Sequence, residues 1–353
     1  MSTGKVEVKM GVDTKSLSKA LAAMEQKYGK QFIRKGNDFI DPPRVPTGIV
    51  QLDAIIGGGF PIGRFIELYG GYGSAKSMMC WLVAKSAQEM GLSVAYYDVE
   101  NQYDEKWVSS LGVNTEDILV VNTTIIDEVG ETLEALLEPI DIHIIDSVAM
   151  GVSRDELAAE VDEWRMAIST RVWDKVLRRA NSRFDKERNM VIVVNQAREV
   201  FGKQGAEKSW GGKQIDHICS IILHFSKSSW LYRDKNGNLS KDGDQKNKMT
   251  ELTQPSGIEI TVKVDKARKM KARDLATARM RLEFGDTNTF DEAWALTRAA
   301  IFYGIVEKSG SWYKLPNGET VQGEGKLKAY ILENPEFAEK LRLMYFKGED
   351  LDE

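Results

Sequence analysis

Residues 66–78 read Ile-Glu-Leu-Tyr-Gly-Gly-Tyr-Gly-Ser-Ala-Lys-Ser-Met, and within them Gly70-Gly71-Tyr72-Gly73-Ser74-Ala75-Lys76-Ser77 is a phosphate-binding loop with one residue out of place. The pattern G-x-x-x-x-G-K-[ST] asks for Gly at its sixth position, where this chain has Ala75. An apolar run from Phe65 to Tyr69 leads in as a strand, and Met79, Trp81, Leu82 and Ala84 lead out with helical spacing. Backbone N–H groups of such a loop, here from Gly70 through Met78, wrap phosphates, and the following helix aims the positive end of its dipole at them. Lys76 would reach the β- and γ-phosphates of ATP, and the Ser77 hydroxyl would ligate Mg²⁺. The alternative is a Gly-rich strand–helix turn that happens to carry Lys-Ser.

Sequence further along weighs against that alternative. Residues 142–147, Ile-His-Ile-Ile-Asp-Ser, form a short apolar strand ending in a carboxylate, and Asp146 is the expected partner of Mg²⁺ through water. Residues 94–100, Val-Ala-Tyr-Tyr-Asp-Val-Glu, are another strand ending in acids, and Glu100 would polarise an attacking water. A third apolar strand, Val-Ile-Val-Val-Asn-Gln over 191–196, ends in an amide, and Gln196 would hydrogen-bond a γ-phosphate. Each polar residue alone fits a strand-end cap, but together, after a phosphate loop, they fit a nucleotide hydrolase.

At 353 residues, with 42% apolar and 29% charged side chains, the chain has enough material for a large core and two or three folded units. No apolar run reaches bilayer length, so no membrane association is expected, and the N-terminus lacks a signal core. Cys80 and Cys219 sit in separate apolar stretches as core residues, which fits a cytoplasmic protein. A net charge of −5 does not exclude nucleic acid, because binding depends on where the charge is placed. The apolar spacing predicts a helix over Lys15–Tyr28 closed by Gly29, a short strand over 31–34, and an extended proline-bearing linker over 38–46. Alternating strands and helices then predict a mostly parallel α/β sheet up to about Gly285, with later strands at 220–225, 258–264 and, as an edge, 278–284. A polar stretch from Arg233 to Lys248 reads as a solvated hairpin tip. The expected organisation is residues 1–46 as a helix, strand and linker for subunit contact, 47–285 as the ATPase core, and 286–353 as a small α+β domain with a short acidic tail.

Over nearly its whole length the chain resembles the bacterial RecA recombinases. The resemblance runs in order through Ser18–Lys30, Pro46-Thr47-Gly48, Gln51-Leu52-Asp53, Gly59–Arg64, the loop at 70–77, Asp98-Val99-Glu100, Asp146-Ser147, Asn195-Gln196-Ala197-Arg198, Gly211-Gly212-Lys213, Gly310–Tyr313 and Glu333–Glu336. It implies a RecA-type P-loop core, and a DNA-dependent ATPase that polymerises on single-stranded DNA as a helical filament. It also implies pairing with homologous duplex DNA, strand exchange, and assistance from single-strand-binding or mediator proteins. By the same resemblance Glu100 activates water, and Asp104 and Trp107 meet adenine, Trp107 standing where Tyr is usual. Lys266 and Arg268 stand where the family has two lysines that reach into the neighbour's ATP site, acting like an arginine finger. The loop 197–213 would be the second DNA-binding loop, with Arg198, Gly211, Gly212 and Lys213 at the strand and Phe201 and Trp210 interleaved. Arg165 and Arg171, after the first loop, are further DNA candidates that fit solvated helix positions equally well.

The departures are Ala75, an acidic stretch over 150–164, a long segment 226–257 and a short tail. They fit a divergent member, a phage-encoded one included, working in a bacterial or host cytosol. A Cβ at Ala75 strains the loop if φ is positive. Two other readings are a superfamily ATPase with another task, such as a ring helicase or regulatory ATPase, and a nucleotide-binding DNA filament with very weak hydrolysis.

Overall fold

The computed structural model describes residues 14–29, 33, 41–159, 168–199, 207–211, 213–233, 239–241, 254–267 and 277–347. The chain divides into two units, Met1–Pro43 and Arg44–Glu353. In the first, α1 (Thr14–Tyr28) closes on Gly29, whose backbone is left-handed. Its less exposed residues, Leu17, Leu21 and Met24, recur at helical spacing. The strand expected over 31–34 lies outside the described residues except for Ile33.

The second unit opens with β1 (Arg44–Val45), α2 (Val50–Ile56) and β2 (Phe60–Pro61), so the end of the expected linker is a short ladder, β1 antiparallel to β2. There follow β3 (Phe65–Gly70), α3 (Lys76–Glu89), β4 (Val94–Asp98), α4 (Glu105–Ser110), β5 (Ile118–Asn122), α5 (Ile126–Leu136) and β6 (Ile142–Asp146). Next come α6 (Arg154–Leu157), α7 (Ile168–Arg183), β7 (Met190–Glu199), β8 (Glu207–Ser209), α8 (Lys213–Ile218), β9 (Cys219–Arg233), β10 (Leu239–Ser240), β11 (Gly257–Ala267), β12 (Thr277–Glu283) and β13 (Thr289–Phe290). The chain ends with α9 (Glu292–Phe302), β14 (Glu307–Ser309), β15 (Trp312–Lys314), β16 (Thr320–Gln322), α10 (Glu324–Glu333) and α11 (Pro335–Lys347).

The main sheet has the order β13-β12-β11-β9-β3-β7-β6-β4-β5. The pairs from β9 through β3 to β5 are parallel, and those from β9 outward to β13 are antiparallel. In β3, Ile66 and Leu68 point to one face and Phe65 and Tyr69 to the other, as strand alternation requires. The first face packs under α3 with Met79, Trp81 and Val83, and the second under α5 and α7 with Val129, Leu133, Trp173 and Leu177. A parallel sheet covered on both faces needs such continuous apolar strands. Cys80 and Cys219 are buried, as expected. A third cluster, including Leu296, Tyr313, Leu327, Ile331 and Leu341, joins α9 through α11 to the β14–β16 sheet.

Three readings of the sequence need correction. The segment 197–213 is not all loop: β7 runs on to Glu199 and pairs with β8, Arg198 opposite Lys208, because Ala197 to Glu199 continue the ladder. The segment 278–284 is not an edge, since β12 lies between β11 and the two-residue β13. The strands at 220–225 and 258–264 extend to Arg233 and Ala267, so part of the expected hairpin tip is paired strand, with β10 against β9. No helix among the described residues is long and apolar enough to cross a membrane.

Candidate functional site

Parallel register gathers the site. Gly70 at the end of β3 pairs with Gln196 on β7 and with Phe225 on β9, while Asp98 on β4 pairs with Asp146 on β6. The polar residues read from separate strands therefore stand in one row at the carboxyl edge, where open α/β sheets bind ligands. The order of connections reverses at β3: the chain leaves it for β4 on one side and returns to β9 on the other.

The loop between β3 and α3 is built for close backbone approach. A Cβ on Gly70 would lie 2.2 Å from the Phe225 carbonyl oxygen and 2.8 Å from Ser74 Oγ, so only glycine fits there. Ala75 takes φ 69° and ψ 22°, the left-handed conformation for which glycine is the usual residue. Lys76 Nζ folds over the loop and donates to the carbonyls of Gly70 (3.0 Å) and Gly71 (2.9 Å). Burial lowers the Lys76 pKa; Asp146 and Glu100 oppose that shift, and Lys227 adds to it.

Beneath Lys76 lies the acidic edge. Asp146 accepts from the Tyr96 hydroxyl at 2.9 Å, and Ser77 also hydrogen-bonds it. Burial pushes the Asp146 carboxyl up to about 6; Ser77 and Tyr96 pull it down, and neighbouring Glu100 raises it. A buried carboxylate held this high is one that a cation would re-ionise. Glu100 accepts from the Ser147 hydroxyl through Oε1. Asp98, by contrast, caps the turn after β4, accepting from Gln102 N and Tyr103 N, both at 2.9 Å.

These groups open into a cavity of about 750 Å³, lined by the loop from Tyr72 through Met78 and by Glu100, Asp104, Trp107, Asp146 and Gln196. Asp104 caps α4 through Trp107 N (3.1 Å), and Trp107 Nε1 donates to the Asn288 carbonyl (2.9 Å). The cavity also has lining that the sequence reading missed: Tyr103, Phe284 through Asn288, Lys227 and Trp230. No motif marks Lys227, Trp230 or residues 284–288, because β9 and β12 reach the loop only through long-range pairing, whereas Tyr103 follows β4 one residue before Asp104.

The other expected residues lie outside the cavity lining or outside the described residues. Lys266 Nζ donates to the Asp216 carbonyl of α8. Arg268, Arg165 and Gly212 lie outside the described residues, and Lys213 begins α8. Arg171 is exposed on α7, and Gly211 has φ 96°. Arg198 lies over the Trp210 ring at 5.7 Å, and Trp210 packs partly against the α5–α7 face. Trp210 N donates to the Gln196 carbonyl at 3.0 Å, and its own carbonyl accepts from Asn195 Nδ2 at 2.6 Å. Asn195 Nδ2 also reaches buried Glu67 Oε1 at 2.8 Å. The hairpin is thus tied into the middle of β3.

A glycine loop cradled between parallel strand ends, with its lysine folded over a buried acid, defines a P-loop nucleotide-binding protein. The chain belongs to the RecA family. The family's N-terminal domain matches residues 15–264, and its C-terminal domain matches residues 296–343. Protein RecA of Thermus thermophilus is 29% identical over 347 residues, 95% of each chain. Protein RecA of Francisella tularensis subsp. novicida is 30% identical over 328 residues, covering 91% of this chain and 85% of that one. Protein RecA of Frankia casuarinae is 28% identical over 334 residues, 93% of this chain and 90% of that one. The chain is accordingly a divergent ATPase of the recombinase class.

Proposed function

We propose that the protein is a cytoplasmic, ATP-dependent recombinase that polymerises on single-stranded DNA and carries out homologous pairing and strand exchange, with hydrolysis stimulated by DNA. The observation that carries this reading is the course of β7. Gln196 lines the nucleotide cavity, and two residues later Arg198 stands in the β7–β8 hairpin with Lys208 opposite, next to the Glu199–Glu207 pair. One strand thus runs from the place where a γ-phosphate would lie to Arg198 and Lys208, a pair of cations paired across the hairpin and placed to meet a DNA backbone.

Lys76 and the loop N–H groups bind the phosphates of ATP, and Trp107 provides an aromatic surface for the base. Glu100 keeps Oε2 for the attacking water while Ser147 holds Oε1, so the water's proton passes to that carboxylate as its oxygen bonds the γ-phosphorus and the bond from phosphorus to the β–γ bridging oxygen breaks, leaving ADP and phosphate. Mg²⁺, held by Ser77 directly and by Asp146 through water, would neutralise phosphate charge. Among the described residues no three acidic, His or Cys side chains cluster as a metal cage, which suits an ion completed by phosphates and water. Lys266 and Arg268 act on the neighbouring subunit's nucleotide, α1 joins subunits, and Arg198, Gly211, Gly212 and Lys213 hold DNA, with Arg165 and Arg171 as outlying contacts. Single-strand-binding or mediator proteins are the expected helpers.

The test is a strand-exchange assay with ATP and with a non-hydrolysable analogue, on the parent and on Glu100→Gln. The parent should exchange strands. The variant should bind ATP and DNA yet turn over at least about a hundredfold more slowly, the lower range for losing a general base. Unchanged turnover in the variant would move the base elsewhere. A parent that binds DNA and ATP without appreciable hydrolysis would instead favour the filament reading, with which Ala75 at the loop's glycine position is compatible.

A further inference from the structure

The antiparallel half of the sheet carries a cation to the nucleotide loop. Strand β9 pairs with β3 as far as Gly70–Phe225 and then runs past the end of β3. Beyond that point its register against β11 slips: Lys227 stands opposite Ile260, Ser229 opposite Glu259, and Ser228 is the extra residue. A bulge of this kind puts residues three apart on the same face, where plain alternation would put them on opposite faces. Lys227 and Trp230 consequently both line the cavity. Trp230 continues a cross-strand row with Ile258 and Leu282, and its ring meets Phe284 edge-on at 6.3 Å.

Lys227 is placed over the phosphate loop. Its Nζ lies 3.3 Å from where a Cβ on Gly73 would stand. Among the described residues it has no hydrogen bond or ion pair, and its charge opposes that of Lys76. Asp146 and Glu100 offset part of the Lys76 charge, and an anion lying between Lys76 and Lys227 would relieve the repulsion that remains between the two cations. The support beneath Lys227 is firm: Ser228 Oγ donates to the Glu259 carbonyl at 2.8 Å, Leu231 is buried, and the Glu259 side chain is clamped by Arg281.

We propose that Lys227 contacts the outer phosphates of the bound nucleotide, supplied from within the same chain by the bulged extension of β9. The proposal rests on the nucleotide reading above and adds to it a phosphate ligand set by this chain's long 226–257 segment. Trp230 forms the outer aromatic wall beside it.

The experiment measures ATP and AMP affinities of the full chain by competition with a fluorescent ATP analogue, without DNA. One charge-assisted contact corresponds to about a tenfold change. Lys227→Met should weaken ATP by about tenfold and leave AMP within about twofold, with an unchanged melting curve. Lys227→Arg should restore ATP binding, because any cation of similar reach can meet an outer phosphate. If Lys227→Met binds ATP as the parent does while Lys76→Ala loses it, Lys227 is a solvated hairpin residue and the proposal fails with the site reading intact. If ATP and AMP are both weakened alike, the residue shapes the cavity rather than touching phosphate, and the proposal also fails. If Lys76→Ala binds ATP like the parent, the site reading itself is wrong, and Lys227 with it.

Discussion

Ala75 concentrates the departure of this chain from its motif into one dihedral angle. An L-residue held at φ 69° carries about 1–2 kcal/mol of strain that glycine would not. Ala75→Gly relieves this strain and gives up one partly buried methyl and some chain entropy, so the net gain should be roughly 1 kcal/mol in urea unfolding. ATP should bind more tightly, or DNA-stimulated turnover should rise. A variant that loses both stability and affinity would mean that the loop is matched to alanine. The motif shows which residue departs, and the expectation of strain at positive φ rests on the known loop shape. What the motif could not supply is the neighbour that forbids a Cβ at Gly70, because the Phe225 carbonyl arrives from a strand some 155 residues downstream.

At the scale of elements, what was legible follows locality. The β3–loop–α3 unit, the strands ending at Asp98 and Asp146, the apolar part of β7 up to Gln196, and α1 are each written in contiguous residues. Their alignment is not, since the Gly70–Gln196 and Asp98–Asp146 pairings are long-range contacts that no periodicity encodes. The β9–β11–β12 wall was the least legible, and it hangs on Glu259. That carboxylate is buried and meets Arg281 at 3.1 Å, Arg279 at 3.2 Å and Lys241 at 2.7 Å. Burial alone would raise the Glu259 pKa, but Lys241 and Arg281 outweigh it and hold the carboxyl below its usual range. The sign follows: the stabilisation is present at neutral pH and is lost as pH falls from about 4.5 through the lowered folded value. Glu259→Gln leaves Arg281 buried against a neutral amide and should cost roughly 3 kcal/mol at pH 7, read by urea unfolding. The same variant should lack the Glu259 share of the stability loss expected of the parent as pH falls below about 4.5.

Across the whole molecule, the three apolar clusters lie between Val45 and Leu341, and the sheet and the C-terminal helices share one chain of packing. Buried ionisable groups are spread through that interior. Burial raises Asp53 and Glu67 to about 7 and Asp146 to about 6, and it lowers His143 to about 4. Near pH 5.5 the three carboxyls hold protons when folded and shed them on unfolding, while the one imidazole takes a proton up. The balance is net release, so stability of the nucleotide-free chain should fall as pH rises from about 4.5 to 6. Calorimetric unfolding enthalpies at pH 5.5 should therefore differ between buffers of high and low ionisation heat, and buffer-independent enthalpies would refute the assignment. Of these groups Glu67 has the widest reach. Its Oε1 accepts from Asn195 Nδ2, which also donates to the Trp210 carbonyl at the root of the β7–β8 hairpin, while Asn195 Oδ1 accepts from Gln196 N. Because β3 carries Glu67 three residues before the glycine loop, one short strand meets both that loop and the hairpin, with a single carboxyl as the hinge pin between them.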